Sequence, residues 1–109
     1  KPMLLSVICK ISPSGNRTEL HVDWYKEVYP DSKVITKVGD NIETVRDWVF
    51  EPEKQRSSLY PGIFFIKELI STSNPLVKIE ISGQTKITAS FDTSGFINVI
   101  EPIRKHCGW

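Results

Sequence analysis

Few side chains in this sequence could do chemistry, and they are scattered: His21, His106, Cys9, Cys107 and the segment Asp92-Thr93-Ser94-Gly95. A transition-metal site needs several convergent imidazole, thiolate or carboxylate ligands. Two histidines on different elements, without the four-residue spacing that puts a pair on one helical face, do not make that set, so no metal ligand is assigned. Each histidine is read as an ordinary surface or cap residue, and His106, in a last helical turn, favours the carbonyl end of the helix dipole. His106 beside Cys107 has the residue types of a base and a nucleophile. Adjacent helical positions, however, point about 100° apart, and a disulfide would consume the thiol.

Asp92-Thr-Ser-Gly95 differs by an inserted serine from the Asp-Thr-Gly loop in which two carboxylates share a proton, and no second such loop follows. Its side-chain oxygens are read instead as caps for the first free N–H groups of a helix. No Gly-Lys-Ser/Thr phosphate loop and no dinucleotide fingerprint occurs, and Gly83-Gln84 reads as a hairpin turn. The reading is therefore of a non-enzyme, with no catalytic residue and no cofactor.

The elements that position these groups are mostly strands. Met3–Ile11 alternates, with Leu5, Val7, Cys9 and Ile11 on one side, and Thr18–Trp24 places Leu20, Val22 and Trp24 on one face, so the two form an antiparallel hairpin around Ser12–Asn16. Lys33–Val38 and Ile42–Phe50 extend the meander. Polar Glu51–Ser58, carrying Pro52, reads as an exposed and mobile connection with room for a short irregular strand or turn. Ile63, Ile66 and Ile70 share a helical face with Leu69 beside it, predicting a helix over Ile63–Ser71. Leu76–Ser82 and Thr85–Phe91 form a second hairpin, and Phe96, Ile100, Ile103 and Cys107 mark the inward face of a terminal helix over Gly95–His106, kinked or tightened at Pro102. The expected fold class is α+β, mainly β: about six antiparallel strands in a curved sheet or barrel-like sandwich, two helices packed on it, one domain over residues 1–109.

Cys9 and Cys107, both on inward faces at opposite ends of the chain, are expected to pair and tie the ends together. A buried free pair in a reducing compartment is the alternative, but the arrangement fits an oxidising one better, hence an exported or periplasmic protein. The chain opens on Lys1 with strand-like residues at once, and a leader or anchoring segment is expected to have preceded it. Fourteen Lys plus Arg against thirteen Asp plus Glu give a formal charge of +1, without a dense basic stripe to neutralise nucleic acid or hold an anionic membrane surface. No apolar run approaches the roughly 20 residues that span a bilayer, so no membrane insertion is expected.

Aromatics remain as the functional signal, since Trp24, Tyr25, Tyr29, Trp48, Tyr60 and Trp109 together offer a contact surface. Trp24, Trp48 and Trp109 are assigned to packing, whereas Tyr25 and Tyr29, on the polar parity, with Lys26, Glu27 and Arg56 as rim, are the candidate interaction surface.

The ending Phe91-Asp-Thr-Ser-Gly-Phe96, Glu101-Pro-Ile-Arg104 and Cys107-Gly-Trp109 resembles that of the TagO/VasI family of accessory proteins linked to bacterial type VI secretion. Arg46-Asp-Trp48-Val, Phe65-Ile-Lys-Glu-Leu69 and Leu5-Ser-Val-Ile-Cys9 followed by Thr18-Glu-Leu20 fit the same pattern in the same order. The resemblance implies an exported, envelope-associated, β-rich domain with a Cys9–Cys107 disulfide and no established enzyme chemistry. Its expected partner is another envelope protein. The competing expectation is a small-ligand or glycan-binding β-rich domain, phage-derived in one version, which should present a concave aromatic pocket where an interaction module presents a flat exposed patch.

Overall fold

The computed structural model describes residues 2–84 and 86–109; Lys1 and Thr85, the latter being the first residue of the strand expected over Thr85–Phe91, lie outside the described residues. Eight strands occur among the described residues where about six were expected: β1 (Leu4–Lys10), β2 (Arg17–Asp23), β3 (Lys33–Val38), β4 (Thr44–Arg46), β5 (Val49–Glu51), β6 (Arg56–Leu59), β7 (Leu76–Ser82) and β8 (Lys86–Asp92). The helices are α1 (Ile63–Ser71) and α2 (Phe96–Cys107). Pairing is antiparallel throughout and gives two four-stranded sheets, β1-β2-β6-β5 and β4-β3-β7-β8, which are not closed into a barrel. Both contribute to one core, the first through Leu20, Val22 and Leu59 and the second through Val34, Val77, Ile79 and Ile81. This is a sandwich arrangement.

One expectation about the middle of the chain fails and a second holds only in part. Ile42–Phe50 is not a single strand but β4 and β5, which belong to different sheets. Between them buried Trp48, 6.1 Å from Phe65 and edge-on to it at 81°, pins the crossing. Glu51–Ser58 holds the short turn and short strand allowed for it, but only the turn is exposed. After a single 3₁₀ turn (Pro52–Lys54) and a left-handed Gln55, the chain enters β6, which is paired on both sides, to β2 and to β5. Ser57, Ser58 and Leu59 are buried, and the Ser57 hydroxyl accepts the Trp24 indole N–H at 3.0 Å. A polar strand can be central when its hydroxyls have such partners.

In α1 the buried face is Phe65, Ile66 and Leu69, with Ile63 and Ile70 only half-buried, a rotation from the expected face. The face predicted for α2 is observed, Ile100 fully buried and Phe96, Ile103 and Cys107 partly so, and the helix packs on β1 and α1. Its cap is not the one expected. Gly95 holds the N-cap at φ 73° with no side-chain bond, while the Asp92 carboxylate takes the Ser94 hydroxyl and N–H and the Thr93 hydroxyl donates to the Pro75 carbonyl. The Ser94 bonds hold the Asp92 carboxyl below its ordinary range. Pro102 is carried inside the helix. Cys9 and Cys107 form the disulfide, with Cα atoms 5.8 Å apart.

Candidate functional site

Alternation places Arg17, Glu19, His21 and Asp23 of β2 on the outer face of the first sheet, where water is expected. Glu19 and His21 are nevertheless only 4% and 5% exposed, which corrects the assignment of His21 to the surface. Glu19 is saturated: its carboxylate meets His21 Nε2 at 2.9 Å, Arg17 Nε at 2.9 Å and Lys10 Nζ at 3.4 Å. Glu51 on β5 is held in the same way, accepting from the Ser58 hydroxyl at 3.0 Å and lying 3.4 Å from Lys54 Nζ. Burial pushes both carboxyls up, but hydrogen bonds from His21 and Ser58 and the nearby cations outweigh it, leaving both below the usual carboxylate range. A cavity of about 190 Å³ opens here, lined by Lys10, Arg17, Glu19, Glu51, Ser58 and Tyr60 among others.

His21 and Ser58 are directly paired across β2 and β6, so serine, histidine and glutamate meet on one face. They do not form a relay. The Ser58 hydroxyl donates to Glu51, a carboxylate of lowered basicity, while His21 bonds Glu19 through Nε2 and its buried Nδ1 has no partner among the described residues. Serine becomes nucleophilic only when the base accepts its proton, and here that contact is absent.

The Glu19 arrangement has a consequence in acid. A carboxyl whose folded pKa lies below its unfolded value, about 4.3 for Glu, contributes stability that is present above that value and is lost as pH falls through the folded one. Denaturant titrations from neutral pH down through that window should therefore show a shallower loss of stability for Glu19→Gln than for the wild type. Identical slopes would remove Glu19 from the account.

Tyr60 separates this charged lobe from a larger one. Arg17 stacks on its ring at 3.7 Å from the centroid, and beyond it lies a cavity of about 360 Å³ lined by Arg46, Asp47, Tyr60, Pro61, Phe64 and Phe65, with Leu59 beneath. The Tyr60-Pro61 peptide is cis. Arg46 is spent on structure: its guanidinium sits 4.7 Å over the Phe65 ring, donates to Thr36 and Thr44, and meets Glu68 of α1 at 2.8 Å. Asp47 is exposed and has no ion-pair partner among the described residues. Phe64, the second residue of α1, is 77% exposed, and Tyr60 49%.

The other residues singled out from sequence lie elsewhere. Tyr25, Lys26 and Glu27 are exposed in the β2–β3 connection, Tyr25 with a left-handed φ of 56°. Tyr29 is half-buried, its phenol pushed up first by the charge of Glu27. Arg56 lies on β6 and is bound to Asp23 at 2.7 Å, so its charge is already matched. His106 is exposed, its carbonyl accepting from Asn16. Among the described residues no three His, Cys, Asp or Glu side chains are gathered to hold a metal. Tyr60 is among the aromatics singled out from sequence, but Phe64 was missed because it sits inside the apolar run Ile63–Ile66, where periodicity cannot say which ring turns outward. No family model, curated protein or solved structure matches the chain.

Proposed function

We propose that this is a non-catalytic interaction domain of the bacterial cell envelope, exported into an oxidising compartment, whose protein partner seats an apolar side chain in the groove between Tyr60 and Phe64. One observation carries it: a phenylalanine 77% exposed on the rim of a 360 Å³ groove whose other walls are Tyr60, Pro61 and Phe65. Exposed aromatic side chains around a depression are the anchors that dominate binding energy at interfaces. The Cys9–Cys107 disulfide supports export, and the ordered ending Phe91–Trp109 supports an accessory role in type VI secretion.

The concavity also favours a second reading, a glycan or small-ligand site, in which a sugar ring stacks on Tyr60 or Phe64 and its hydroxyls meet the unpaired Asp47 carboxylate. The test is binding by a pair of variants. Phe64→Ala and Tyr60→Ala should each weaken capture of a discrete envelope protein at least about tenfold while leaving the melting curve close to wild type, and Tyr25→Ala should leave capture intact. Capture that survives both substitutions but fails in Tyr25→Ala returns the surface to the β2–β3 connection. Saturable calorimetric titration by a soluble oligosaccharide, abolished in Phe64→Ala, selects the glycan reading.

A further inference from the structure

The second sheet ends at β8, a strand of seven residues that pairs with β7 without interruption from Lys86 opposite Ser82 to Asp92 opposite Leu76, and has no strand on its other side among the described residues. Two backbone bonds at the ends of the ladders fix which of its groups point to that open side. The Thr93 N–H donates to the Pro75 carbonyl and the Gly39 N–H to the Leu76 carbonyl, both at 2.8 Å, and they extend the β7–β8 and the β3–β7 ladder respectively. Bonded and non-bonded pairs alternate along an antiparallel ladder, so Ile87, Ala89 and Phe91 bond β7, while Lys86, Thr88, Ser90 and Asp92 turn their N–H and C=O groups outward. Such a row is a template for a further strand.

Edges are ordinarily blunted by proline, by bulges, by short length or by charge. β8 has none of the first three, and its two charges are of opposite sign, Lys86 at one end and Asp92 at the other. Antiparallel pairing of β8 with a second β8 about Ala89 sets Lys86 opposite Asp92 of the other copy at both ends, and Thr88 opposite Ser90 between them. Residues with outward backbone groups then meet residues of the same kind, so bonding parity and charge select one register. Centring the pair on Thr88 or Ser90 keeps the parity but leaves Lys86 opposite Ser90 or Ser94. Neither charge is already saturated: Lys86 is 71% exposed with Glu80 3.8 Å away, and Ser94 binds one Asp92 oxygen, the other having no partner among the described residues. β7 and β8 together carry Lys78, Lys86, Glu80 and Asp92, two of each sign, so two copies meet without net repulsion. The other edges do not fit: β1, paired with itself about Val7, would set Lys10 opposite Leu4, and β4 and β5 are three residues each.

We propose that two copies of this chain pair through β8 about a two-fold axis at Ala89, joining their second sheets into one continuous sheet held by backbone bonds and by the two Lys86–Asp92 ion pairs. The axis is perpendicular to the sheet, so the apolar faces of both copies lie on one side, where Ile87 comes opposite a Phe91 ring that is only half-buried in the single chain. Strand addition along one edge buries less than a standard interface, so the dimer is weak and forms as concentration rises. None of the β8 residues lines the Tyr60–Phe64 groove, and the pairing is independent of what that groove binds.

The test is sedimentation equilibrium of the whole chain from about 10 μM to about 1 mM, over which wild type should pass from monomer to dimer. Ser90→Pro removes an N–H that faces the open side and no bond to β7, so it should abolish the dimer while the melting temperature stays close to wild type. Lys86→Glu and Asp92→Lys each put like charges opposite one another at both ends of the pairing, and each should weaken self-association at least about tenfold. An equimolar mixture of these two variants restores both ion pairs and should dimerise like wild type. Lys105→Glu on α2, the same change of charge away from the edge, should leave the dimer intact. Wild type that stays monomeric to about 1 mM, or a mixture that associates no better than either variant alone, would overturn the proposal. So would a dimer that is lost in Phe64→Ala and kept in Lys86→Glu, which would place the contact at the groove and not at β8.

Discussion

Replacing Cys9 and Cys107 together with serine should lower the unfolding free energy by about 2–5 kcal/mol. The cross-link spans a sequence separation of 98 residues, and closing a loop of that size removes chain entropy worth up to about 4–5 kcal/mol from the unfolded ensemble. Strain and residual denatured structure reduce that ceiling. In the folded state the cross-link joins α2 to β1, an edge strand whose Leu5, Val7 and Cys9 are only half-buried. Without it α2 is held by Ile100, by partly buried Phe96 and by Trp109, whose indole donates to the Thr18 hydroxyl at 2.8 Å. For a domain of this size each kcal/mol corresponds to about 4–8 °C in melting temperature, so the double variant should melt at least roughly 8 °C lower. The same displacement should appear when the wild type is melted under reductant. A double variant that melts with the wild type would show that the staple contributes nothing, and the argument for an oxidising compartment would lose its main physical support.

The second large effect is expected at Trp24. Its side chain is fully buried, and its indole N–H donates to Ser57 of the central strand β6 at 3.0 Å. Truncation to alanine should cost about 3–5 kcal/mol, from lost burial and the cavity left behind. The comparison with Trp48 is more informative. Trp48 is 7% exposed and its Nε1 has no partner among the described residues, so Trp48→Phe removes a buried donor that is already unsatisfied. Trp24→Phe instead strips the Ser57 hydroxyl of its donor inside the core, a loss of about 1–3 kcal/mol by itself. Equilibrium unfolding should rank Trp24→Phe as clearly the costlier of the two. A reversed order would mean that the Trp24–Ser57 bond does not hold β6 in place.

Polar residues in the middle of the chain show where local reading stops. Gln55-Arg-Ser-Ser-Leu59 has no alternation and stands beside Pro52 and charged residues, every local signal of a loop. Its hydroxyls become acceptable in a central strand only because Trp24 and Glu51, brought from other elements, bond to Ser57 and Ser58. Glu19 and His21 invert the rule in the same way. They occupy the solvent parity of β2, yet Lys10, Arg17 and each other cover and satisfy them.

The sequence by itself determined the two hairpins, both helices, the inward faces of β2, β7, β8 and α2, and the inward parity of the two cysteines, whose pairing it left as an expectation that the structure bears out. Each of these follows from periodicity over fewer than about ten residues, or from parity, which a strand imposes whatever its neighbours are. Tertiary structure alone decided which strands lie side by side: that Arg46 and Val49 fall in different sheets, that β6 sits between β2 and β5, and that Lys37 faces Lys78. It also turned Phe64 outward beside Tyr60. Lateral pairing joins residues tens of positions apart through backbone hydrogen bonds that nearly every side chain permits, so it leaves no local signature.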